Sequence, residues 1–207
     1  MKVRRFWPLY FAVLLVVVLL GGALFVTHAS AGSSHKETRF RWDIISVDFS
    51  TATLSAGGLA SAIANDGSMI TLTGQGTFEP EDGFGNQDVT GGGTWQTFDP
   101  SGNATASGTY KVTGFVSWKL APGTPPLPHD LIGNLKDNRA GLLFVTIQYS
   151  DGSPGVLTVS CHLVGTPDSV FEGIRVSKGF VDYWNGNAPP APPGNANRTT
   201  FHILEED

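Results

Sequence analysis

The chain has 207 residues with 13 basic and 18 acidic side chains, five histidines, a single cysteine and 26 glycines, and only 15% of its residues are charged. One cysteine excludes an intramolecular disulfide, so packing must hold the fold. Lys2, Arg4 and Arg5 account for three of the basic side chains, and the 176 residues after Ala31 carry 10 basic against 18 acidic, a net −8. That charge excludes a nucleic-acid partner and anionic lipid as partners of this part of the chain.

The first 31 residues differ in kind from the rest. Lys2, Arg4 and Arg5 precede an uncharged run over 6–26, and Ala29-Ser30-Ala31 follows with small residues at alternate positions. This is the layout of a secretory signal cut after Ala31. The 18 residues of 9–26 are also long enough to cross a bilayer as a helix. Residues 1–31 are therefore read as a hydrophobic export helix, either a signal peptide or an uncleaved membrane anchor, and as the only contact with a membrane. Residues 32–38 form a polar spacer, 39–184 the folded domain, 185–197 a Pro/Gly-rich linker, and 198–207 a tail or short strand.

Beyond the leader no window has a helical period, while Thr, Val, Ile and aromatics recur in short alternating runs. RFRWDIISVDF puts Phe40, Trp42 and Ile44 on one face of a strand and Ile45, Val47 and Phe49 in the next phase. The switch predicts a β-bulge or bend between Ile44 and Ile45. Asn65-Asp66-Gly67 predicts a hairpin, and Asp99-Pro100-Ser101-Gly102-Asn103 predicts another. The run 106–120 predicts a long half-buried strand with Tyr110, Val112, Val116, Trp118 and Leu120 inward.

A third hairpin is predicted around Asp151-Gly152-Ser153-Pro154-Gly155. Its strands put Leu143, Val145, Ile147 and Tyr149 in phase, then Leu157, Val159, Cys161 and Leu163, with His162 on the opposite face. VFEGIRVSKGFVDYW is apolar at Ile174, Val176, Phe180 and Trp184, with Glu172, Lys178 and Asp182 in the same phase. It predicts an edge strand kinked at Gly179. RTTFHIL predicts one more short strand.

The stretches TGQGTF, TGGGTW and TASGTY each read Gly, Thr, aromatic at their ends. A phosphate cradle needs its glycines between a strand and a helix N-terminus, and no helix is predicted after any of the three. Structural punctuation is the better reading, with glycine for close backbone approach and Phe78, Trp95 and Tyr110 as stacked inward anchors. Such repeats are similar in style to those of calycin-type, dirigent and allene oxide cyclase barrels, a resemblance that implies a barrel and no activity. The fold expected is all-β, a single antiparallel meander barrel of about eight strands, with a β-sandwich as the alternative.

Candidate ligand-binding residues are few. His129 and Asp130 sit in the long 121–139 connection, stiffened by Pro122, Pro125, Pro126 and Pro128, which suits a lid over a barrel mouth or a cover for a sheet edge. His162 would be a base or ligand if it faced a cavity. Trp118 and Tyr110, on the inward face of the long strand, would line a hollow barrel or fill a solid one. In FEPEDGFGNQD, Glu79, Glu81, Asp82, Asn86 and Asp88 are hard oxygen donors of the kind calcium prefers, without EF-hand spacing.

No cofactor motif, paired-cysteine site or HExxH is present, and no catalytic residue is assigned. The expected function is non-enzymatic, that of an extracytoplasmic binding or envelope domain for a small apolar ligand. The alternatives are an isomerase, cyclase or hydrolase using the 121–139 lid, and a carbohydrate-binding module built on exposed tryptophans.

Overall fold

The computed structural model describes residues 38–80, 88–186 and 197–204. The expected export helix, and most of the acidic loop and linker, lie outside these residues. In chain order the strands are β1 (Arg39–Asp48), β2 (Thr53–Ala56), β3 (Ala60–Ile63), β4 (Met69–Leu72), β5 (Gln75–Phe78), β6 (Gly92–Phe98), β7 (Ala104–Ala121), β8 (His129–Asp130), β9 (Asn138–Tyr149), β10 (Pro154–Cys161), β11 (Gly173–Lys178), β12 (Val181–Tyr183) and β13 (Arg198–Leu204). The one helical element among them is a 3₁₀ turn, η1 (Leu135–Asp137).

Six of these strands close a barrel. Around the ring, β1, β5, β6, β7, β9 and β13 are each hydrogen-bonded to the next, all antiparallel, and β13 joins back to β1. The fold is thus an all-β barrel with extra strands, and not a simple eight-strand meander. β13, last in the chain, is inserted between β1 and β9, while β10, β11 and β12 extend outward from β9. The predicted turns at Asn65–Gly67, Asp99–Asn103 and Asp151–Ser153 all form, each with an Asp carboxylate accepting the N–H of a Ser two residues on.

A six-strand ring encloses less space than an eight-strand one, which itself is only wide enough for side chains or one small ligand. Aromatic side chains fill this one. Phe40 stacks on Phe78 at 5.3 Å, Trp118 lies 5.1 Å from Phe78 and 4.5 Å from Phe201, and Trp42 is fully buried beside them. The same apolar cluster continues into Leu143, Val145, Ile147, Leu157, Val159 and Cys161, the faces expected of β9 and β10.

The glycine repeats have the structural role expected of them. A Cβ on Gly76 would lie 2.1 Å from the Thr90 carbonyl oxygen, and one on Gly93 would lie 2.0 Å from that of Thr73. Phe78, Trp95 and Tyr110 are all buried, but they do not stack on one another. Phe78 belongs to the barrel plug, whereas Trp95 and Tyr110 both pack on Tyr149, at 5.6 and 6.3 Å.

Three strand expectations are corrected. β7 carries register shifts between Val112 and Gly114 and between Phe115 and Ser117. These change its phase, so Phe115 packs on Phe78 while Val116 is 53% exposed and Leu120 is also exposed. β1 has no bulge: its pairing with β13 runs unbroken from Arg39 to Ile45. Both of its faces are covered, as the phase switch implies, with Phe40, Trp42 and Ile44 in the main core and Ile45, Val47 and Leu54 in a second cluster outside the barrel. Finally, the run after Glu172 is a hairpin, because Gly179 adopts φ 58° and reverses the chain between β11 and β12.

Candidate functional site

The outer cluster is the floor of a site. Alternation along β1 points Arg41, Asp43, Ile45 and Val47 away from the barrel, and their register partners on β13 are His202, Thr200 and Arg198. Over this face lies the 121–137 segment. Asp130 holds it down: its carboxylate takes a 2.6 Å hydrogen bond from His202 Nε2, and both side chains are buried. The backbone N–H groups of Ile132 and Gly133 donate to the other Asp130 oxygen at 2.9 and 3.2 Å. Gly133 is required because a Cβ there would come within 2.8 Å of the His202 ring. At the other end, Thr124 pairs with Val164, and the Thr166 hydroxyl donates to the Pro122 carbonyl at 2.7 Å.

Between this cover and the sheet is a cavity of about 240 Å³. Its walls are mainly apolar, with Ile45, Val47 and Leu54 below and Pro125, Leu127 and Leu135 above. Five polar residues also reach it: Asn138, His162, Glu172, Arg198 and Thr200. Three of them present buried polar atoms with no hydrogen-bond partner, namely Asn138 Oδ1, Arg198 Nε and Thr200 Oγ1. Asn138 is 6% exposed and Thr200 1%. Buried polar groups are nearly always hydrogen-bonded; of the seven such side-chain atoms without a partner among the described residues, these three belong to residues that line the cavity.

Glu172 is held from two strands. One carboxylate oxygen accepts the His162 N–H at 2.6 Å and the other the Thr199 N–H at 2.8 Å. Burial pushes its pKa up to about 7, against the two N–H donors and the nearby Arg198 charge, which favour the anion. His162 Nδ1 lies 2.6 Å from the Val170 carbonyl. A carbonyl can only accept, so Nδ1 carries the hydrogen and the neutral ring keeps its lone pair on Nε2. Arg198 stacks its guanidinium over the Phe49 ring at 5.9 Å. No carboxylate among the described residues forms a salt bridge with it.

Of the residues picked out from sequence, His162 lines the cavity and Asp130 anchors its cover. His129 is adjacent but exposed, on the short β8 that pairs with β2. Trp118 and Tyr110 belong to the packed interior, where the Tyr110 hydroxyl donates to the Thr73 carbonyl at 2.9 Å. Glu79 and Asp88 continue the β5–β6 hairpin, with the Glu79 carboxylate 3.6 Å from Arg39, while Glu81, Asp82 and Asn86 lie outside the described residues. Among the described residues no cluster of His, Cys, Asp or Glu could hold a metal.

Asn138, Glu172, Arg198 and Thr200 escaped the sequence reading because three separate segments bring them together. One signal was present: Glu172 shares a phase with Ile174 and Val176, and a carboxylate on an inward face calls for a reason. Comparison with known proteins finds no matching family model, no similar curated protein and no similar solved structure.

Proposed function

We propose that this chain is an extracytoplasmic binding domain that holds one small ligand with an apolar body in the cavity beneath the 121–137 cover, on the outside of the barrel. The observation that carries this reading is the set of buried unpartnered atoms, Asn138 Oδ1, Arg198 Nε and Thr200 Oγ1, around an otherwise apolar space. Binding sites typically combine such walls with a few convergent polar groups. At about 240 Å³ the space lies below the range of drug-sized pockets, roughly 300–1,000 Å³. The ligand is therefore small. The barrel interior is a poorer candidate because aromatic side chains occupy it.

The extracytoplasmic location rests on residues 1–31, with their basic start, apolar run and Ala29-Ser30-Ala31. One experiment addresses both parts. The chain is recovered from the exported fraction, its N-terminus is sequenced, and it is titrated calorimetrically with eight-carbon probes: octanol, octanoate and octylamine. Saturable one-site binding of at least one probe is expected, together with its loss in Leu135→Trp, which fills the cavity. No saturable binding, or binding indifferent to Leu135→Trp, would overturn the reading.

A second reading, an enzyme of isomerase or cyclase type, is favoured by one pairing. His162 Nε2 offers a base, and Glu172, titrating near neutrality, offers an acid in the lining of the same cavity. A carbohydrate-binding module would display tryptophans in a row. Among the described residues Trp184 alone is largely exposed, at 48%, and its Nε1 already donates to Asn65.

A further inference from the structure

Among the described residues Arg198 is the one Lys or Arg that lines the cavity, and no salt bridge pairs it with a carboxylate. Arg41 is paired with Asp43 through two 2.7 Å hydrogen bonds, Lys178 is paired with Asp151, and Arg39 lies 3.6 Å from Glu79. Arg198 has none of these. Its Nε is buried and unpartnered, and the acid nearest in effect, Glu172, has both oxygens turned to the backbone N–H groups of His162 and Thr199. Arg198 is half-buried, but its buried Nε left without an acceptor is costly, because the unmade hydrogen bond of a charged donor is worth more than that of a neutral one.

Resting on the cavity as the binding site, we propose that its ligand is a small monocarboxylate with an apolar body, whose carboxylate is received by Arg198 Nε and Thr200 Oγ1. The geometry suits that head. Arg198 and Thr200 are two residues apart on β13 and so point to the same side, about 6.6 Å apart along the strand. A carboxylate taking one hydrogen bond from each bridges such a gap. Beyond the head, Ile45, Val47 and Leu54 on one side and Leu127 and Leu135 on the other offer only hydrocarbon.

Other heads fit less well. An ammonium would face the Arg198 charge, while the only carboxylate in the lining is already committed to two N–H donors. A neutral alcohol could satisfy Thr200 but would leave the guanidinium unmatched. A phosphate monoester carries nearly two charges, and the lining contains one arginine and no lysine to meet them. The net negative charge of the domain slows the approach of any anion, so selection depends on the buried contact and not on long-range attraction.

The test compares heads on a constant tail, again by calorimetry on the exported chain. Octanoate is expected to bind at least about tenfold more tightly than octanol or octylamine. Arg198→Gln, which keeps a hydrogen-bonding amide but removes the charge, is expected to lower octanoate affinity at least about tenfold while leaving octanol within about twofold. Thr200→Val should weaken octanoate in the same sense by a smaller factor. Octanol binding as tightly as octanoate, or octanoate indifferent to Arg198→Gln, would overturn the proposal while leaving the cavity a binding site. Loss of every probe from the unmodified chain would instead remove the site itself. Octyl phosphate surpassing octanoate would overturn the carboxylate assignment in favour of a phosphorylated head.

Discussion

Glu172 is the only carboxyl group in the cavity lining, and its surroundings pull its ionisation in opposite directions. Burial favours the protonated form, while the His162 and Thr199 N–H groups and the Arg198 charge favour the anion; burial wins, and the group titrates near 7 against an ordinary 4.5. The folded chain therefore keeps a proton between these values that the unfolded chain has lost. Stability from this source is fully present below about 4.5, falls as pH rises towards about 7, and is level above, a total of roughly 3 kcal/mol at most. In Glu172→Gln the slope should vanish. Urea unfolding of both chains from pH 4.5 to 8 measures it, and other groups titrating over that range cancel in the difference. Equal slopes in the two chains would mean that Glu172 ionises normally.

Among the elements, the cover over residues 121–137 depends most on a single side chain. Asp130 accepts from His202, Ile132 and Gly133 together, so Asp130→Ala removes the tie to the sheet and the turn that follows it. Hydrogen exchange in 131–137 should accelerate at least about tenfold while 143–149 stays protected, because local opening there no longer carries the cost of breaking a buried pair. Unchanged exchange in 131–137 would mean that the proline-rich approach, and not Asp130, fixes the cover. The sequence did reveal a long stiff connection here, because prolines and length are local signals. What it covers was not legible, since the partner His202 lies 72 positions away. The hairpins were legible for the same local reason: each predicted turn carries an Asp whose carboxylate accepts the N–H of the Ser two residues on. The bulges of β7 were not. A bulge moves the inward phase by one residue without any residue type demanding it, so strict alternation puts Val116 and Leu120 inward where the structure exposes both.

For the whole molecule, the informative feature is that the first and last strands of the domain pair along seven positions, Arg39–Ile45 against Arg198–Leu204. Closure of the barrel therefore waits for β13, and so does the candidate site, whose Arg198 and Thr200 belong to that closing strand. Strand alternation fixed an all-β core without saying which strands would be neighbours, because pairing between distant segments leaves no local trace. The short RTTFHIL run looked peripheral after a Pro/Gly stretch, yet it closes the ring. Phe201 is the side chain by which β13 enters the core, fully buried, 4.5 Å from Trp118 and 6.2 Å from Phe78. Phe201→Ala should cost about 3–5 kcal/mol, the usual loss for a large aromatic that leaves a cavity behind. Phe180→Ala, at a fully exposed hairpin tip, should stay within about 0.5 kcal/mol. Urea midpoints of the two variants decide the matter. Octanoate binding should weaken in Phe201→Ala as the strand bearing Arg198 loosens, and should persist in Phe180→Ala. Similar midpoints in both variants would mean that β13 is an appendage and that the barrel is held by its other five strands.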